Sequence, residues 1–208
     1  MRLFVALDID DEIRNKISRF VDEMREFAPE ARWVRPESLH VTLKFIGEKF
    51  EQEVEKIKLA LGTMESKQLS CHSDPRAKRG TEESLPFFSS KIEMSICGYG
   101  FFPNVRAPRV FWIGIDATPN LAEIAAQVEA RLEPLGVARE PREFKPHLTL
   151  ARISESRGIE NLCDALRQCG TVDFGAVRAN EMYLYRSELG RGGAKYSRLK
   201  TFAFAKVP

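Results

Sequence analysis

"RWVRPESLHVTLKFIGE" occupies residues 32–48, and the H-V-T-L at its centre (40–43) returns as H-L-T-L (147–150) inside "FKPHLTLAR", residues 144–152. The chain has three histidines, and two of them open this pattern. His40 and His147 stand 107 positions apart, as do Arg35 and Arg142, Ile17 and Ile124, Val21 and Val128, Phe4 and Phe111, and Arg2 and Arg109. One offset running through a strand, a helix and a histidine strand marks an internal repeat. Two copies are too few for a solenoid, so the pattern predicts two related lobes facing each other.

Working outward from the motifs, each copy reads strand, helix, histidine strand, helix. "RLFVALDI" (2–9) is β-rich, and Asp10 is placed to cap a helix over 11–27 with Ile13, Ile17, Phe20, Val21, Met24 and Phe27 on one face. A strand follows around 39–46, ending at Gly47, then a helix marked by Val54, Ile57, Leu61 and Met64. The second copy begins with a strand at 109–116 and a helix start at Thr118-Pro119, with Leu121, Ile124, Val128 and Leu132 as its stripe. A strand over 144–152 and a helix through Ile159, Leu162, Leu166 and Cys169, stopped by Gly170, complete it. Strands are expected at 171–178 and 181–187, a long turn at 187–199, and a last strand at 200–206. Gly190, Gly192 and Gly193 lie in that turn with no helix pattern after them, which excludes a dinucleotide fingerprint.

The expected fold class is α+β: a bilobal, pseudo-twofold pair of β-α-β units, two antiparallel sheets flanking a central groove, helices outside. The whole chain, 1–208, is expected to be one such domain. Its first lobe is roughly 1–65, a polar insertion 66–90, its second lobe 109–170, and its C-terminal strands 171–208. That insertion, "SKQLSCHSDPRAKRGTEESLPFFSS", is rich in turn formers and holds the third histidine, His72, read as incidental.

Composition excludes some classes and leaves others open. Apolar residues make up 43% and aromatics 10%, the profile of a folded chain. Basic and acidic residues number 32 and 30, so global charge selects no partner and local charge must. No stretch approaches the roughly 20 apolar residues of a membrane span, and the start lacks a secretory h-region. Cys71, Cys97, Cys163 and Cys169 form no C-x-x-C pair and read as free thiols of a cytoplasmic protein.

Residues two apart on a strand share a face. His40 and Thr42 therefore point one way and Val41 and Leu43 the other, and His147 and Thr149 repeat the arrangement over Leu148 and Leu150. Facing lobes bring two imidazoles and two hydroxyls to one cleft. With a reference pKa of about 6.5, one imidazole can take a proton while the other gives one. Hydroxyls can donate to phosphate oxygens, and Arg32, Arg35, Lys44, Arg139, Arg142, Lys145 and Arg152 crowd the same segments. Such a set suits displacement at a phosphodiester without a metal.

These residues resemble the 2H phosphoesterases, defined by two H-x-[ST]-φ motifs (φ apolar). Among them the chain is similar to the RNA 2′,3′-cyclic phosphodiesterases, also called 2′-5′ RNA ligases. "RLFVALDI", "WVRPESLHVTLKFIGE", "GYGFFPNVRAPRVFWIGI", "FKPHLTLAR" and "SELGRGGAKYSRL" carry the likeness over most of the chain. The resemblance implies hydrolysis of a 2′,3′-cyclic phosphate at an RNA or nucleotide end to a 2′-phosphate, with no metal and no cofactor. It makes His40 the proton donor and His147 the proton acceptor. Thr42, Thr149 and Arg152 become substrate-binding residues. Reverse 2′-5′ joining of RNA is expected as a side activity; a monomer without membrane association is the default expectation, and the sequence leaves the oligomeric state open. Strict alternation, however, sends Arg152 to the face opposite His147, so its role requires the strand to twist or end near 151. The competing readings are a non-catalytic RNA- or nucleotide-binding module in the same groove and, ranked last, a histidine metal site.

Overall fold

The computed structural model describes residues 1–62, 91–154, 159–190 and 193–204. In it, β1 (Arg2–Leu7), β3 (Val41–Glu48), β4 (Ile92–Phe102), β5 (Val110–Thr118), β6 (His147–Arg152), β7 (Asp173–Ala179), β8 (Glu181–Gly190) and β9 (Gly193–Ala203) form one antiparallel sheet in the order β7-β4-β5-β6-β3-β1-β8-β9. A two-residue strand, β2 (Arg32–Trp33), adds to β6. The expected α+β architecture is present, with the two expected sheets joined as halves of this one sheet, β7-β4-β5-β6 and β3-β1-β8-β9. They meet at a single pair, Val41 opposite Leu148. Each half places its histidine strand innermost and the leading strand of its repeat next to it.

Alternation along the strands builds the core. Leu3, Val5 and Leu7 of β1, Phe111, Ile113 and Ile115 of β5, and Leu148 and Leu150 of β6 all enter one apolar cluster. Four helices cover that side: α1 (Asp11–Arg25), α2 (Glu51–Gly62), α3 (Leu121–Leu132) and α4 (Ile159–Cys169). Asp10 caps α1 as expected, its carboxylate accepting from Ile13 N at 2.8 Å, and Ile13, Ile17, Val21 and Met24 form the buried stripe. The helices change halves. α1 follows β1 yet packs against β7 and α4, while α3 follows β5 yet packs against β3 and α2. Each repeat thus supplies a helix to the other half.

Several boundaries differ from the sequence reading, each for a physical reason. α3 begins after Asn120, whose side chain accepts from Ala122 N at 2.9 Å, so Thr118 closes β5 and Pro119 precedes the cap. Residues 187–199 are not a turn: β8 and β9 pair from Glu181–Ala203 out to Gly190–Gly193. Their mixed polar composition reflects a hairpin end that extends past β1. β4, to which no strand was assigned, loses period-2 alternation at Gly98 (φ 68°), where its register with β5 shifts. The 66–90 insertion and Met64 lie outside the described residues.

The 107-residue offset also fails in one place. Leu7 pairs with Val41 and Ile113 with Leu148; Val5 pairs with Lys44 and Phe111 with Ala151. β3 maps onto β6 at 107, but β1 maps onto β5 at 106 (113 − 7). Phe4 therefore takes the place of Val110, not of Phe111. A one-residue slip exchanges the faces of a strand, so Phe111 belongs to the core cluster whereas Phe4 rests on His40, ring centroids 4.8 Å apart.

Candidate active site

The seam between the halves puts the two motifs side by side. An antiparallel register centred on Val41 and Leu148 brings His40 opposite Thr149 and Thr42 opposite His147. Val41, Leu43, Leu148 and Leu150 are buried, while both histidines and both threonines are half-exposed on the concave face. The rings are tethered alike: His40 Nδ1 donates to Ser38 O and His147 Nδ1 donates to Lys145 O, each at 2.7 Å. A carbonyl only accepts, so Nδ1 carries the proton in both neutral rings and Nε2 is left to face the groove.

A bulge decides which face Arg152 takes. Ala6 pairs with Thr42 but Val5 with Lys44, leaving Leu43 extra; Trp112 pairs with Thr149 but Phe111 with Ala151, leaving Leu150 extra. The same position bulges in both halves. One extra residue shifts the alternation, so Leu150 and Ala151 are both buried and Arg152 emerges exposed on the histidine face. Its charge acts on both His147 and Tyr196. In the first half the shift turns Lys44 into the core, bonded to Glu129 and to Ala138 O, and brings Phe45 out, 62% exposed. Lys44 is therefore not a groove cation. Arg139 is exposed and paired with Glu133 at 2.7 Å.

The walls around the two rings differ. His40 contacts Phe4, Tyr196 (5.1 Å, edge-on) and Tyr185 (6.3 Å); His147 stands edge-on to Phe102 (5.0 Å) with Trp112 at 6.4 Å. Gly100 makes room for the indole, since a Cβ there would overlap the Trp112 ring. Beside His40 sits Asp8, next in register after the Leu7–Val41 pair. Its carboxylate accepts from Arg14 at 2.7 Å and Arg198 at 3.0 Å, and the Arg198 guanidinium lies 3.8 Å over the Tyr183 ring. Little in the sequence announces this wall: a Tyr-x-Tyr alternation at 183 and 185 is its one local signal, and the offset of 107 aligns Phe4 with Phe111 of the core.

Burial lowers the pKa of both imidazoles, each opposed by its carbonyl tether. Nearby charges act on both: Asp8 favours the protonated form of His40 and Arg14 opposes it, while Arg152 disfavours that of His147. His147 also works against charge on His40, so the rings lie within electrostatic reach of each other. Burial raises the tyrosine phenols, Tyr183 to about 12, and leaves them as donors.

Twin H-x-T-L strands meeting at the centre of one sheet define a two-histidine phosphoesterase. Residues 10–191 match the 2′-5′ RNA ligase superfamily, and the chain belongs to that family. It is similar to the RNA 2′,3′-cyclic phosphodiesterases of Archaeoglobus fulgidus (32% identity, covering 97% of this chain and 99% of the relative) and Methanothermobacter thermautotrophicus (30%, 97% and 98%). Among solved structures it is similar to TT0787 of Thermus thermophilus (TM-score 0.73, 27% identity, 98% of each chain). It is also similar to E. coli LigT complexed with 3′-AMP (TM-score 0.71, 26% identity, 98% of this chain and 97% of that one). The chain is an enzyme of the hydrolase class. No helix among the described residues is long and apolar enough to cross a membrane.

Proposed function

We propose that the protein hydrolyses 2′,3′-cyclic phosphates at the ends of RNA or of nucleotides, giving 2′-phosphomonoesters, with His40 as general acid and His147 as general base. The observation that carries this reading is the pair of identically tethered imidazoles brought together at the seam of the two halves, with Asp8 and its arginines beside His40 and Arg152 acting on His147. Water attacks phosphorus as His147 Nε2 takes its proton. The bond from phosphorus to the ribose 3′ oxygen breaks, and His40 Nε2–H protonates that oxygen as it leaves. Thr42, Thr149 and Arg152 hold the non-bridging oxygens, whose charge grows in the transition state. Because the leaving oxygen belongs to the ribose, the nucleoside lies on the His40 side, where exposed Phe45 offers its base a flat apolar surface. With the 5′-hydroxyl of a second RNA in place of water, the same step forms a 2′-5′ linkage.

The test is turnover of adenosine 2′,3′-cyclic phosphate in EDTA. Activity persists with the chelator, yields the 2′-phosphate, and has a bell-shaped pH profile. His40→Ala and His147→Ala each lower kcat by about 10²–10⁴, the first erasing the alkaline limb and the second the acidic limb. A 3′-phosphate product, or full activity in either variant, refutes the reading.

A further inference from the structure

Arg32 of β2 lies directly opposite Arg152 of β6. Residues so paired project to the same face with Cβ atoms about 4.5–5.5 Å apart, and like charges there destabilise the ladder. Among the described residues neither guanidinium has a carboxylate partner, although the chain pairs many of its other arginines. Nor is Arg32 loosely placed. Val34 N donates to Leu150 O at 2.7 Å, Trp33 Nε1 donates to Ala28 O at 3.0 Å, and the Trp33 ring stands edge-on to Phe111 in the core. Two unneutralised cations fixed side by side form an arrangement that a multiply charged anion relieves.

We propose that Arg32 forms a second phosphate subsite, which takes the 5′-phosphate of the terminal nucleotide while Arg152 attends the cyclic phosphate. The inference rests on the function proposed above and narrows its substrate class from any nucleoside cyclic phosphate to an end whose 5′ oxygen bears a phosphoryl group, which in an RNA chain is the phosphodiester to the preceding nucleotide. Paired with Arg152 at the groove rim, Arg32 meets this second anion without entering the space between the histidines. Guanidinium and phosphate pair through charge-assisted, often bidentate bonds.

The experiment compares adenosine 2′,3′-cyclic phosphate with the same compound bearing a 5′-phosphate. In the native protein the 5′-phosphate raises kcat/KM by about tenfold, the scale of one charge-assisted contact. Arg32→Gln brings that ratio to about one, and Arg32→Lys keeps part of it. Calorimetric Kd values for adenosine 2′-phosphate and adenosine 2′,5′-bisphosphate read the same preference without turnover, so a failure of the proposed chemistry leaves this measurement standing. The subsite is refuted if the native protein shows no 5′-phosphate preference in either assay. It is equally refuted if Arg32→Gln retains the preference or weakens both ligands in equal proportion.

Discussion

Replacing Lys44 by Ala tests whether the bulge has turned this cation into a structural strut. The Lys44 side chain is 5% exposed and that of Glu129 is 19% exposed. Nζ bonds to Glu129 and also donates to Ala138 O at 2.7 Å, while Glu129 accepts from Glu140 N at 2.8 Å. The pair thus ties the first histidine strand to α3 and to the segment approaching His147. Removing one member of a buried ion pair strands the other, at a cost of about 3–5 kcal/mol. With a urea m-value of about 2 kcal/mol/M, the unfolding midpoint falls by about 2 M. Lys44→Met with Glu129→Leu replaces both charges by apolar volume and restores most of the loss. The gap between native protein and Lys44→Ala also narrows in acid. Burial opposes ionisation of Glu129, but Lys44, Glu140 N and Arg139 outweigh it and hold its carboxyl below the usual range. A depressed carboxyl stabilises above its unfolded value of about 4.3 and ceases to as pH falls through its folded value. A midpoint shift below about 0.5 M in Lys44→Ala would refute the strut and return Lys44 to the groove.

Three further outcomes follow from the geometry. Phe45→Ala raises KM for adenosine 2′,3′-cyclic phosphate by about 5- to 100-fold, the span of base–aromatic stacking, with kcat little changed; an unaltered KM removes Phe45 from the site. Gly114 pairs with His147, and Gly114→Ala puts a Cβ 2.8 Å from Cys97 O of the neighbouring strand β4. It costs about 1–3 kcal/mol, read as a lower Tm, and an unchanged Tm contradicts the close approach. Both imidazoles have folded pKa values lowered by burial, so the native state binds fewer protons than the unfolded chain. Their effect on stability is absent above about pH 6.5 and grows as pH falls through that value. Urea midpoints of His40→Gln/His147→Gln therefore drop less between about pH 7.5 and about pH 5.5 than native ones, and equal drops argue against the shift.

The amino-acid sequence by itself determined the parts of the site that local periodicity encodes. Alternation in H-x-T-L was enough to turn His40, Thr42, His147 and Thr149 away from the core. The 3.6-residue stripes located the helices, and the repeat at 107 announced two matching histidine strands. The tertiary structure decided what depends on register between distant segments. A bulge at Leu43 and again at Leu150 exchanged inside for outside, sending Lys44 inward and bringing Phe45 and Arg152 out. The slip to 106 in β1 set Phe4 against His40, and the pairing of β2 with β6 put Arg32 beside Arg152. Asp8, Tyr185 and Tyr196 reached His40 from strands far apart in the chain. A strand carries its period in its own residues, but which face meets the groove is fixed by hydrogen bonds to partners far along the chain, 36 positions away for Ala6–Thr42 and 120 for Arg32–Arg152.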